Sequence, residues 1–271
     1  EVDDPLEAMG YVLMGIGKPI VVCVVDWTGL ANSAHIQWRK ALADAAKTTI
    51  DRVAVQCVHQ HNAPFACMDA QAIVQEQGDL PDIVNPVFFD RGLKNAGDAV
   101  TKSLKKTTPV THIAHGEARV EKVAANRRII GLNGKLISQR GSSSRKPEHH
   151  RFPEGLIDPM LKTVAFYNGN KKLVASHFYA CHPMSYYGDG RVSADFCGLA
   201  RRRMQKREPD CLHLYFNGCG GNIGAGKYNN GSKEARVELT QRMFDGITTS
   251  NATLKPEPIR SFAWETEDIL P

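Results

Sequence analysis

The chain has 271 residues, 42% of them apolar and 23% charged, and 34 basic against 29 acidic side chains leave a formal charge of +5. Those proportions are ordinary for a globular protein of one large domain or two small ones, and they exclude a disordered or strongly polyanion-binding chain. No apolar run approaches the ~20 residues of a membrane-spanning helix, and the opening residues do not read as a signal peptide. The seven cysteines are odd in number and include no C-x-x-C, which argues against a disulfide framework or a cysteine zinc knuckle. Glu1 in place of Met, and a stop at Pro271 in what reads as an interrupted strand and loop, suggest a piece truncated at both ends.

In chain order, Ile20 to Val25 is a continuous β-branched run, the signature of a buried strand. Asn32 or Ser33 can cap the helix that follows, whose stripe is Ala34, Trp38, Ala41, Leu42 and Ala45. Val53 to Val58 is the next strand. Leu93, Ala96, Val100 and Leu104 mark a second helix, and Thr111 to Val123 a long strand. Residues 131–155, rich in Gly, Ser, Arg, Lys and His, read as a long surface loop or lid. Leu161–Tyr167 and Lys172–Tyr179 form a hairpin through Asn168-Gly169-Asn170. A helix covers Gly198 to Lys206. Its run Arg201-Arg202-Arg203 with Lys206 and Arg207 reads as a solvated helix face rather than a nucleic-acid surface. Leu212 to Phe216 is a buried strand before a glycine-rich loop, Gly218 to Gly226. Val237, Thr240, Phe244 and Ile247 stripe a last helix, and Ile259 to Trp264 is a final strand. Strands alternate with helices, so the expected fold is α/β: a layered single domain over 1–271 with a mixed β-sheet flanked by helices.

Chemistry concentrates at strand exits. His59-Gln60-His61 ends an apolar strand. Side chains two apart on a strand share a face, so both imidazoles can reach one point beyond the sheet edge. Neutral imidazole is a common zinc ligand, but a site needs three or four donors from separate segments. His182, in Ala180-Cys181-His182-Pro183 at the hairpin exit, is the best further candidate. Taken alone, such a histidine is more often a structural or hydrogen-bonding residue. Asp195, in Val192-Ser193-Ala194-Asp195, can be a ligand, a partner orienting an imidazole, or a helix cap. Arg127, in Asn126-Arg127-Arg128, offers a planar fork for an oxyanion or is a surface arginine. His112, His115, His149, His150 and His213 lack such context and read as structural or surface residues. Gly221-Asn222-Ile223-Gly224-Ala225-Gly226-Lys227 fits the spacing of a phosphate-binding loop. Tyr228 stands where a magnesium-binding hydroxyl belongs, and Asn229-Asn230-Gly231 interrupts the following helix start. Nucleotide binding through Lys227 is therefore the minor reading.

Taken together, Cys57-Val58-His59-Gln60-His61-Asn62-Ala63-Pro64, Ala125-Asn126-Arg127-Arg128, Tyr179-Ala180-Cys181-His182-Pro183 with Val192-Ser193-Ala194-Asp195, and Asn217-Gly218-Cys219-Gly220-Gly221-Asn222 resemble, in order, motifs of the neutral/alkaline non-lysosomal ceramidase N-terminal domain family. The resemblance implies a zinc ion held by His59 and His182, with Glu and Tyr ligands from segments past Pro271. It implies His61 beside the metal as a substrate contact, and Arg127 on the reacting group. The glycine-rich loop carries no serine where that family's true ceramidases have one. The expected function is a metal-dependent hydrolase of an amide or ester bond. Zinc would give hydroxide from water near neutral pH, and Arg127 with the Gly220 and Gly221 N–H groups would stabilise the oxyanion. The expected partner is a small-molecule or lipid-like acyl substrate, with no nucleic acid. The resemblance favours an extracellular or periplasmic location. A non-catalytic metal- or ligand-binding domain is the alternative.

Overall fold

The computed structural model describes residues 1–15, 17–186 and 190–267, so the end of the expected terminal strand and loop, 268–271, lies outside the described residues. Two compact units form. The first comprises Glu7–Cys57, Pro64–Pro109 and the stretch from Ile259; the second comprises Glu1–Leu6, Val58–Ala63 and Val110–Pro258.

In the first unit, β1 (Ala8–Leu13) lies antiparallel to β2 (Ile20–Val25), which is buried as its composition requires. After β3 (Gly29–Ala31) comes α1 (Ser33–Ala46), and β4 (Val53–Cys57) returns parallel to β2. Helix α1 buries Ala34, Trp38, Leu42, Ala43 and Ala46, whereas Ala41 and Ala45 are only half-buried. Lys47, at φ 55°, ends it in the left-handed region. The short β5 (Phe65–Cys67) pairs with β3, and α2 (Met68–Glu76) and α3 (Pro86–Ser103) follow. Asn85 caps α3 by accepting the Phe88 N–H at 2.9 Å, with Pro86 in the first turn. Trp27 meets Trp38 edge-on at 5.4 Å. No described residue pairs with 259–264 as a strand: apolar alternation does not supply a hydrogen-bonded neighbour.

The second unit begins with β6 (His112–Arg119), which is shorter than the expected run to Val123 because Lys122 turns the backbone to φ 56°. β7 (Ala125–Asn126), β8 (Arg128–Ile130) and β9 (Leu136–Gln139) lead to α4 (Pro147–Arg151). Segment 131–155 thus carries structure of its own. Within it Arg140, Ser142 and His149 are buried, and Arg140 donates to the carbonyls of Asn126, His149 and Pro153. The hairpin of β10 (Met160–Asn168) and β11 (Lys171–Tyr179) turns at Gly169, φ 56°. Helix α5 (Asp195–Arg207) then carries the chain to β12 (Leu212–Asn217), parallel to β11. After β13 (Ile223–Gly224) come α6 (Lys233–Ala252) and β14 (Glu257–Pro258). The sheet order β12-β11-β10-β6-β14, one parallel pair in an otherwise antiparallel sheet, makes this the layered α/β fold with a mixed sheet that the sequence implied.

Helices α5 and α6 pack on each other, α5 against β12 and α6 against β6 and β10. The buried side of α6 is Leu239, Thr240, Met243 and Ile247, while Val237 is 60% exposed. Buried Arg236 and Ser250 on the same side disguise the apolar period. The basic run of α5 is not one solvated face. Arg201 is buried, Arg202 pairs with Asp4 at 2.6 Å, and Arg203 donates to Gln241 at 2.8 Å. Leu239 is fully buried. Leu239→Ala is expected to destabilise the second unit by about 2–5 kcal/mol, the usual cost of a buried leucine plus its cavity, seen as an earlier urea transition.

Candidate metal centre

β4 stops at Cys57, and His59 lies past it in a loop at φ 76°. Strand alternation therefore does not aim these imidazoles. A left-handed residue does, at a position where a non-glycine pays for the conformation. The loop is fastened by Asn62, whose carbonyl accepts the Ser193 N–H at 2.9 Å and whose Nδ2 donates to the Arg191 carbonyl at 3.0 Å.

The third imidazole arrives from the exit of β11. The rings of His59, His61 and His182 lie 5.0, 4.7 and 4.9 Å apart in the pairs 59–61, 59–182 and 61–182. The Nε2 atoms of His61 and His182 are 2.8 Å apart, and the three histidines offer ligand atoms all within 4.8 Å of one another. All three are half-buried. Burial pushes the His182 imidazole down to about 4, helped by Arg127, His59 and His61, and His61 is lowered chiefly by burial, then by His59 and Arg127. At neutral pH both are uncharged, the form that ligates.

Two carbonyls of the glycine-rich loop set the surroundings. Asn222 accepts the Arg127 N–H at 2.8 Å and Ile223 accepts the His182 N–H at 2.9 Å. The Arg127 side chain donates from Nη2 to Ser142 Oγ at 2.9 Å, and its buried Nε has no hydrogen-bond partner among the described residues. Ser142 had no motif to advertise it. It is fixed by Asn229, whose Nδ2 donates to its carbonyl at 2.8 Å. A Cβ at Gly220 would lie 3.0 Å from the backbone of Cys181 and His182, so that glycine permits close approach. No described residue accepts from the N–H of Gly220 or Gly221.

Asp195 is not in the histidine group. It is fully buried at φ 53°, and its carboxylate accepts from Ser185 N–H at 3.0 Å, Phe196 N–H at 2.6 Å and Arg236 Nη2 at 3.4 Å. Burial raises its pKa, against the pull of Arg236. The Lys227 ammonium is also committed elsewhere. It donates to the His150 carbonyl at 2.7 Å and to that of Phe152, and Tyr228 donates to Glu154 at 2.7 Å. Neither fronts a phosphate site.

The donor set suits a divalent transition metal. Nitrogen ligands about 2.0–2.1 Å from a tetrahedral ion stand about 3.3 Å apart, within the spread of these atoms after small ring movements. Half-buried rather than sealed, the group leaves room at an ion for water or substrate. The unpartnered Arg127 Nε beside them is a donor awaiting an acceptor.

No family model and no curated protein matches this chain. Among solved structures it is similar to neutral ceramidase from Pseudomonas aeruginosa, with TM-score 0.64 and 16% identity over 90% of this chain and 39% of that one. A ceramidase complexed with C2 is similar at TM-score 0.64 and 15% identity, over 90% and 38% of the two chains. The fold is ceramidase-like. The chain spans about two-fifths of the length of these solved chains, and identity this low carries fold alone.

The depressed His182 pKa has a consequence for stability. Between the ordinary 6.5 and about 4, the unfolded chain binds a proton there that the folded metal-free protein refuses. Stability therefore falls as pH drops through that window. His182→Gln is expected to flatten the dependence of the urea midpoint on pH between those limits; an unchanged slope would contradict neutral packing of this imidazole.

Proposed function

We propose that this chain carries the centre of a metal-dependent hydrolase of amide or ester bonds, related to the neutral/alkaline ceramidase N-terminal domain family, with zinc as the ion. The observation that carries the reading is the convergence of His59, His61 and His182, from segments far apart in sequence, on one small volume. The ceramidase-like fold supports it. His59 and His182 would hold the ion. When bound, zinc supplies Lewis acidity toward the scissile carbonyl and toward water.

The chain's own residues would do the rest. His61, uncharged at neutral pH, would contact the reacting group and hold a proton at an imidazole nitrogen. Arg127 keeps one N–H on Ser142 and has Nε to give, so it can donate to the oxygen on which negative charge develops. The Gly220 and Gly221 N–H groups are further donors for that oxygen. The substrate would be a small-molecule or lipid-like acyl compound. Gly220-Gly221-Asn222 offers no serine, so the proposal stops short of ceramide itself. The same kinship carries the expectation of an extracellular or periplasmic location.

Zinc content and hydrolysis of a panel of acyl amides and esters test the reading together. His59→Ala and His182→Ala are expected to lose both metal and turnover, and a chelator should abolish activity in the parent. Chelator-insensitive hydrolysis, or full activity in His59→Ala, would sink the metal mechanism. Bound zinc without turnover on any acyl substrate would instead favour a binding domain, the reading that the missing serine supports.

Arg127→Ala is expected to keep its zinc while kcat falls by about 10²–10³-fold, the usual loss for one oxyanion donor. An effect on KM alone would assign Arg127 to substrate binding.

A further inference from the structure

A second group of metal-ligating side chains lies at the other end of the parallel strands. Glu208 and Cys211 lie in the short link between α5 and β12, His213 is the second residue of β12, and their ligand atoms lie within 4.8 Å of one another. They belong to the beginning of β12, whereas the glycine-rich loop follows its end. At ~3.3 Å per residue, His213 and Asn217 are about 13 Å apart along that strand. The two groups are separate sites.

Three features mark this cluster as more than a chance grouping. The donors sit within six residues, as Glu-x-x-Cys-x-His, and the Cys211 N–H donates to the Glu208 carbonyl at 3.1 Å, which curls the segment on itself. His213 is wholly buried, yet its Nε2 makes no hydrogen bond among the described residues and stands 3.4 Å from Glu208 Oε2. Its other nitrogen is held. His213 Nδ1 is 3.0 Å from His177 Nε2, His177 Nδ1 is 2.9 Å from Thr163 Oγ1, and that hydroxyl is 2.7 Å from Ser250 Oγ. If His213 Nδ1 donates, every link of this chain is satisfied in one direction, and the Nε2 lone pair faces Glu208 and Cys211. Ligating histidines are oriented in this way, through the nitrogen that does not touch the ion.

The geometry points to a second, thiolate-containing site for a divalent transition metal, with Cys211 Sγ, His213 Nε2 and a Glu208 carboxylate oxygen as ligands. Sulfur and imidazole select a borderline-soft ion such as zinc or cobalt over magnesium or calcium. Binding releases the Cys211 thiol proton to solvent. Lys172 pairs with Glu208 Oε2 at 2.6 Å and Arg207 stands 3.9 Å from Oε1, so cations on both sides fix the carboxylate beside the thiol and the imidazole.

Cobalt titration of the chelator-stripped full chain tests the assignment without reference to activity. The expected result is a near-ultraviolet thiolate-to-cobalt charge-transfer band. It should survive in His182→Ala, which disables the histidine centre, and vanish in Cys211→Ser. Because Glu208 is partly exposed, Glu208→Gln spares the core and is expected to weaken cobalt binding roughly tenfold or more, at least the loss seen when an outer partner is removed. No thiolate band in the parent, a band that persists in Cys211→Ser, or one lost in His182→Ala would each overturn the site. Should Cys211→Ser fail to fold, an unchanged cobalt titration in Glu208→Gln would overturn it.

Discussion

Two neighbouring peptide carbonyls, those of Asn222 and Ile223, hold the histidine centre together. One receives the N–H of Arg127 and the other the N–H of His182. The cation and the imidazole thereby share a support, so their spacing is set by backbone rather than by two flexible side chains. That arrangement requires the loop to run hard against its neighbours. At Gly218 a Cβ would press on Ala180, at Gly220 on Cys181 and His182, and at Gly226 it would fall 2.1 Å from the Gly141 carbonyl. These glycines serve close approach of chain to chain. A spacing that looks like a phosphate cradle has this other physical origin, and the lysine that follows it is consumed by the carbonyls of His150 and Phe152.

Much of the scaffold was legible because its signals are local. Ile20–Val25 is apolar at every position, and its bounds are those of β2. Asn168-Gly169-Asn170 demands a turn, and Gly169 takes the left-handed conformation that the turn needs. The histidine exits were legible for a similar reason, since imidazoles after strands stand out in sequence. What brings them together was not. His59 adopts positive φ in a loop fastened at Asn62, a residue whose partners at 191 and 193 are remote in sequence. Likewise Ser142 holds Arg127 from inside a segment whose composition says only surface loop.

Buried polarity is where periodicity misled most. Arg236 donates to Ser185 and Ser193 and reaches Asp195 at 3.4 Å, so a charged residue takes an inward position on α6. Paired charges of this kind are expensive to break and add little when intact. Arg201 on α5 is buried as well, in a run that reads as a solvated face. His213, with no motif around it, turns out to sit in a buried file of hydrogen-bonding side chains reaching Ser250. Sequence patterns report hydrophobic contrast, and a satisfied polar group in a core has none to report.

The bond between His61 and His182 joins positions 121 residues apart. Closing so long a loop costs conformational entropy that no local element repays. The two imidazoles can meet only when the hairpin that leads to His182 and the loop that carries His61 are both in place. Uptake of an ion at this point would accordingly be tied to the finished topology: whatever disturbs the hairpin would loosen the ion's hold.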